Sequence, residues 1–360
     1  MGENMITDTL KKEIAAETLY SAGHGIAWQS LMQKKNLRIG FLGGSVTMGF
    51  AGNAVHEGAY PELTVAGLRE RGYDAEGFVC AEAGMSTMHG NLLADEQILC
   101  HKPDLVFLEF SINETTLRPS VISFESLLRK LLTAPDPPVV CIFTIRNYSD
   151  YQCESFMLPI AEHYGLPCVR LRAALNAALE RGALTWADYG DTESHPNADG
   201  QALLAECLLH FFDTVRSLPD EAPAPLPEPW LGAPFTGLRF LRPAAGCPAV
   251  ETDAPIVPRP HPYYENAWLL TPESGALTVT ANCRALMLFY EAHSLPEYGR
   301  CSVSADGAPF TPPVIDSNSI YGWGNARFAV IISEDASAEH TVRLEPESGS
   351  FYLLGIGICE

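Results

Sequence analysis

The stretch Leu37-Arg38-Ile39-Gly40-Phe41-Leu42-Gly43-Gly44-Ser45-Val46-Thr47-Met48-Gly49 decides how the first half of the chain is read. A short, nearly unbroken apolar run stops in two glycines and a serine, the pattern of a strand buried on both faces and ended by a tight turn. Similar runs follow at 77–81, 105–110, 139–143 and 167–171, with helix-length amphipathic stretches at 60–71, 123–132, 154–163, 171–181 and 200–215. Alternation of short buried strands with helices predicts a doubly wound α/β sheet over residues 37–216. Ahead of it, Leu10, Ile14, Leu19, Ile26, Trp28, Leu31 and Met32 are spaced among polar residues, which predicts a helical cap over residues 1–36.

After Val215 the pattern changes. Pro219, Pro223, Pro225, Pro227, Pro229 and Pro234 cluster in a stretch that can neither continue a helix nor pair as a central strand, so 217–235 is expected to be an extended linker. Beyond it come short strand-like runs at 267–271, 276–281, 284–291, 301–305, 327–333, 341–345 and 351–359, separated by Gly, Pro, Asn, Asp and Ser. Such spacing predicts an all-β sandwich for 236–360.

Composition narrows the function. The chain has 360 residues, 47% of them hydrophobic and 19% charged, as ordinary globular proteins do. Its net charge of −21 repels phosphate backbones and anionic headgroups, so neither nucleic acid nor a membrane is expected as a partner. The start of the chain lacks a basic segment followed by an apolar one, which leads to the expectation of a cytoplasmic protein. Ten cysteines are scattered without a CxxC pair or a Cys/His cluster at zinc spacing, so no metal site is expected and no cofactor is called for.

Ser45 stands where the first strand of the sheet ends, the edge at which open α/β sheets bind ligands. Two further loops fall at the same edge, Ala83-Gly84-Met85-Ser86 and Ser111-Ile112-Asn113-Glu114, and a polar loop, Asp191-Thr192-Glu193-Ser194-His195-Pro196-Asn197, leads into the last helix. Each alone reads as ordinary turn chemistry. Together they offer a hydroxyl nucleophile, a histidine base, nearby acids, and two donors suited to a tetrahedral oxyanion: a glycine N–H and an asparagine amide.

In that order on successive strand-end loops, Ser45, Gly84, Asn113 and His195 resemble the four blocks of the SGNH (GDSL-like) hydrolases, from about residue 37 to 212. Longer segments share the likeness: 39–47, 103–113, and 184–189 continued by His195-Pro196-Asn197. The resemblance implies a flavodoxin-like five-stranded parallel sheet. It further implies Ser45 as nucleophile, His195 as general base and then acid, and the Ser45 N–H, Gly84 N–H and Asn113 side chain as oxyanion donors. Some positions depart from the family pattern. The family acid stands three residues before the histidine, where this chain has Thr192, leaving Asp191 as the favoured partner, Glu193 as the alternate and a Ser45–His195 dyad as a third arrangement. Ser111 replaces a glycine, Glu114 an aspartate and Glu82 a frequent asparagine, changes expected to act on the pocket rim.

Two functions from different classes follow. The first is a serine esterase that removes short acyl groups, acetyl above all, from a small-molecule or oligosaccharide ester, the carbohydrate preference coming by analogy with esterases that join this fold to a β-sandwich. The second is a non-catalytic carbohydrate-binding protein on a decayed hydrolase scaffold, for which His195 would face solvent. Tyr263, Tyr264, Trp268, Tyr290, Tyr298, Tyr321 and Trp323 are the aromatics available for sugar stacking in the β domain. Glu82 and Glu109 do not make a glycosidase pair on sequence grounds, and Glu109 reads as a buried strand acid.

Overall fold

A computed structural model describes residues 6–51, 54–55, 58–191 and 193–360. The chain divides into two compact units, Met1–Ala233 and Pro234–Glu360.

In the first unit, strands β1 (Leu19–Ala22), β2 (Asn36–Gly43), β3 (Asp74–Ala81), β4 (Leu105–Glu109), β5 (Val139–Thr144) and β6 (Pro167–Arg170) form one sheet in the order β1-β6-β5-β4-β2-β3. Strands β2 to β6 are parallel, in the flavodoxin-like order expected. The sixth strand, β1, pairs antiparallel with β6, inside the segment read from sequence as a helical cap. That segment also holds helices α1 (Asp8–Ala15) and α2 (Trp28–Met32), so it is part edge strand and part cap. The edge position accounts for the misreading, because the four residues of β1 are none of them fully buried and lack the apolar run of the other strands.

Helices cover both faces. On one lie α1, α4 (Tyr60–Glu70), α8 (Leu171–Glu180) and α10 (Ala198–Val215); on the other lie α5 (Thr87–Gln97), α6 (Arg118–Leu132) and α7 (Glu154–His163). Alternate strand residues Ile39 and Phe41, Leu105 and Phe107, and Cys141 and Phe143 enter the same core as α1, α4, α8 and α10. At its centre Phe107 stacks on Phe41 at 5.6 Å and takes the edges of Phe211 and Phe212 at 5.8 Å. Along the strand ends the register sets Ala81, Gly43 and Glu109 side by side, so the loops that follow β2, β3 and β4 leave the sheet at one level.

The proline-rich segment, expected to be an extended linker, lies along this unit. Asp220 accepts the Ser30 N–H at 2.9 Å, Glu221 that of Gly25 at 2.7 Å, and the Pro227 carbonyl takes a 2.7 Å bond from Arg129 Nη1. Buried Glu125 accepts the N–H groups of Trp230 at 2.5 Å and Leu231 at 2.8 Å. Prolines fix an extended backbone and leave its carbonyls free to accept, which suits a strap.

The second unit is antiparallel throughout: β7 (Arg239–Leu241), β8 (Val250–Thr252), β9 (Ile256–Pro258), β10 (Asn266–Leu270), β11 (Leu277–His293), β12 (Arg300–Ala305), β13 (Ala308–Asp316), β14 (Trp323–Ser348) and β15 (Phe351–Cys359). The main ladder runs β9-β10-β15-β11-β14-β12-β13. Strand β11 pairs with β8 through 277–279 and, past an irregularity at Cys283/Ala285, with β15 through 285–290. With that change of partner one long strand pairs with both β8 and β15 in a β-sandwich whose core holds Trp268, Leu288, Leu344 and Phe351. All ten cysteines are free thiols, buried except Cys100 and Cys247. Among the described residues no helix is long and apolar enough to cross a membrane, and no group of His, Cys, Asp and Glu could hold a metal ion.

Candidate active site

Strand β2 ends at Gly43, and after Gly44 the chain enters a single helical turn, α3 (Ser45–Met48), with Ser45 at its first position. Gly44 is required by a close approach: a Cβ there would stand 2.4 Å from Oδ1 and 2.8 Å from Nδ2 of Asn113. The Asn113 amide is therefore pressed against the residue before the serine, and its Oδ1 is buried without a hydrogen-bond partner. Gly84 follows β3 with φ +77°, a left-handed conformation that a side chain would strain, and it is exposed.

His195 arrives from the other end of the unit. A one-turn helix, α9 (Trp186–Tyr189), opened by a Thr185/Asp188 capping box, delivers Gly190, which bridges Pro196. Within that pair Asp191 N donates to His195 O at 2.9 Å, so residues 191 and 195 stand opposite each other on one side of a small loop. Asn197 then caps α10, accepting the Gly200 N–H.

These loops bring Ser45, His195 and Asp191 together. His195 Nε2 lies 3.0 Å from Ser45 Oγ, and its Nδ1 lies 3.2 Å from Asp191 Oδ2. Asp191 Oδ1 accepts the backbone N–H groups of Glu193 at 2.9 Å and His195 at 3.0 Å. Burial raises the Asp191 pKa, but those N–H donors and the His195 ring outweigh it and hold the carboxyl below the usual range. An ionised Asp191 favours Nδ1–H, leaving Nε2 to accept from the Ser45 hydroxyl. The Phe50 ring meets the imidazole edge to face at 4.9 Å.

A family model described as the GDSL-like lipase/acylhydrolase family matches residues 41–203. Residues 41–203 of the first unit therefore make up a GDSL-like lipase/acylhydrolase domain. It is an ester-hydrolase domain, as the four blocks led us to expect. No curated protein matches the chain by sequence. Among solved structures, a two-domain esterase (CEX) active on acetylated mannans matches with TM-score 0.83 and 19% identity over 96% of this chain and 99% of that one. The same esterase co-crystallized with mannopentaose matches with TM-score 0.82, 19% identity and coverage of 96% and 98%. A catalytic mutant of an acetylxylan esterase from Geobacillus stearothermophilus matches with TM-score 0.41 and 18% identity, over 49% of this chain and 94% of that one. At these identities the likeness is one of fold.

Within the GDSL-like domain the residues weighed from sequence fall into place unevenly. Asp191 faces the histidine, whereas the Glu193 side chain is exposed and Thr192 lies outside the described residues. His195 turns toward Ser45, not toward solvent. Ser111 and Glu114, expected at the pocket rim, are buried braces. Ser111 Oγ accepts Ile145 N at 2.9 Å and reaches Ile145 O at 3.1 Å, locking the end of β4 to that of β5. Glu114 accepts Thr87 N at 2.5 Å and Thr87 Oγ1 at 2.6 Å, fixing the Asn113 loop to the start of α5. Glu82 is half-buried, its carbonyl accepting Met85 N in the Gly84 turn.

Glu109 lies fully buried beside the Ser45 turn, its carboxyl taking Thr47 Oγ1 at 3.3 Å and Ser111 Oγ at 3.4 Å. Burial pushes its pKa up to about 7, the two hydroxyl donors opposing. Gln201 on α10 was missed in the sequence: it accepts Tyr60 N at 2.9 Å and donates to Val46 O at 3.2 Å, which braces the serine turn from behind. Nothing in its local pattern marks it. Of the aromatics considered in the second unit, Tyr264, Trp268, Tyr290 and Tyr298 are buried, leaving Tyr321 and Trp323 clearly exposed.

Proposed function

We propose that the protein is a serine esterase that removes acetyl groups from carbohydrate esters through a Ser45–His195–Asp191 triad. The observation that carries the reading is the unbroken chain Ser45 Oγ, His195 Nε2, His195 Nδ1, Asp191 Oδ2, with contacts of 3.0 and 3.2 Å. In this mechanism Ser45 Oγ attacks the ester carbonyl carbon while His195 Nε2 takes its proton and Asp191 stabilises the imidazolium. The N–H groups of Ser45 and Gly84 and the Asn113 amide donate to the oxyanion. Collapse breaks the bond to the sugar oxygen, which leaves with the proton from His195. Water then attacks the acyl-enzyme, giving its proton to the same nitrogen, and carboxylate and free Ser45 are released.

The sugar and the acetyl group have a separate support. The two-domain esterase that this chain parallels over nearly its full length is active on acetylated mannans. The experiment treats the protein with a fluorophosphonate probe beside a Ser45→Ala control, then measures acetate release from acetylated manno-oligosaccharides. A single adduct absent from the control, with acetate released only by the wild type, is the expected result. A folded protein that takes up no probe and releases no acetate overturns the reading.

A further inference from the structure

The loop between β5 and α7 carries an aromatic side chain that the ester chemistry does not use. It runs from the Asn113 loop to the His195 loop and is tied to both: Tyr151 OH donates to the carbonyl of Glu114, and Tyr148 N donates to that of Glu193 at 2.8 Å. Its backbone is clamped from beneath by Arg146, whose side chain is largely buried. Arg146 Nη2 donates to Tyr148 O at 2.7 Å, Nε to Asn147 O at 2.9 Å, and Nη1 to Asn176 Oδ1. Asn147 Oδ1 in turn accepts Ser149 Oγ at 2.9 Å and Tyr151 N at 2.8 Å. A loop with its carbonyls held this way presents its side chains in a fixed position.

Tyr148 is the side chain so presented, and the residue is 56% exposed. It meets Trp186 at 5.7 Å between centroids and 72° between planes. Trp186 is anchored in turn, its Nε1 donating to the carbonyl of Asp191 and the Arg146 guanidinium lying 5.4 Å over its ring. An exposed, pre-positioned aromatic ring next to the catalytic loop offers a flat apolar face to the C–H face of a sugar ring, with little ordering left to do on binding.

Resting on the carbohydrate-esterase reading above, we propose that Tyr148, backed by Trp186, is a stacking subsite that takes a pyranose ring of the acylated oligosaccharide. The test compares kcat/KM on acetylated manno-oligosaccharides with kcat/KM on 4-nitrophenyl acetate in the full-length protein and in Tyr148→Leu and Tyr148→Phe. Both variants keep the backbone N–H that holds the loop. The ratio of the two kcat/KM values should fall roughly tenfold in Tyr148→Leu, through KM on the saccharide, and stay within about twofold in Tyr148→Phe. An unchanged ratio in Tyr148→Leu, in an enzyme whose wild type deacetylates saccharides, overturns the subsite alone. A wild type that cleaves 4-nitrophenyl acetate but no acetylated saccharide overturns both the subsite and the carbohydrate reading.

Discussion

Asp191 holds His195 at two points: Oδ1 accepts its backbone N–H at 3.0 Å, and Oδ2 meets its ring Nδ1 at 3.2 Å. One carboxylate therefore shapes the loop and orients the His195 ring. Asparagine in its place keeps an Oδ1 acceptor for the loop but loses the charge and the second acceptor that orient the ring. Asp191→Asn is expected to lose about 10³–10⁴ in kcat/KM on an activated acetate ester, while Glu193→Ala stays within about threefold. A comparable loss in Glu193→Ala would contradict the assignment of Asp191.

Gly44 and Asn113 form a contact pair, since a Cβ on Gly44 would intrude to 2.4 Å from the amide. Gly44→Ala should displace Asn113 and thereby reproduce Asn113→Ala. Each is expected to lower kcat by roughly 10²–10³. In the double variant the two losses should not add, because the second substitution removes a group already displaced. Steady-state kinetics on the four proteins of the cycle test this, and additive losses would count against the shared mechanism.

The parts of the site legible in the sequence are those set by turn chemistry at strand ends. Ser45, Gly84 and Asn113 each follow a buried run, and the parallel register of Ala81, Gly43 and Glu109 brings their loops to one level. The acid was less legible because its position depends on how the loop closes. The Asp191–His195 backbone bond inside the Gly190–Pro196 bridge sets positions four apart on the same side, which no local pattern reveals. Helix α5 escaped the sequence reading because its buried face contains Thr87, His89, Gly90 and Asn91, giving no apolar stripe. In the second unit, 276–281 and 284–291 read as two strands, yet both belong to β11, which continues through an irregularity at Cys283/Ala285. Likewise 327–333 and 341–345 are both within β14.

Ser111 occupies a position where the family resemblance called for glycine, and its hydroxyl makes bonds of 2.9 and 3.1 Å to Ile145. Ser111→Gly should therefore destabilise the first unit by about 1–3 kcal/mol, leaving buried backbone groups short of a partner. The relative kcat/KM of acetyl and butyryl esters should stay the same. Thermal unfolding and a two-substrate assay separate this outcome from a change at the pocket rim.

Glu109 adds a pH dependence with a definite sign. In the native protein it keeps its proton up to about pH 7, whereas an unfolded chain releases it near 4.5. The unfolded state thus binds fewer protons between those values, so this group lowers stability as pH rises from 4.5 to 7, by up to about 3 kcal/mol. Buried Glu114, also raised by burial, acts in the same direction. Glu109→Gln should accordingly compare better with wild type at pH 8 than at pH 5, in unfolding midpoints measured at both. An equal difference at the two pH values would show that Glu109 does not carry the effect.

Glu125 gives the proline strap a bearing on how such proteins can be cut and recombined. Its buried carboxyl is satisfied by Tyr164 OH and by two N–H groups, those of Trp230 and Leu231. A gene fragment ended where the last helix stops would strip away both amides and leave the Glu125 carboxyl with Tyr164 OH alone of these three donors. The exchangeable cassette accordingly runs through Leu231. A foreign second unit grafted after that point inherits an intact hydrolase, whereas one grafted at Arg216 receives a weakened one.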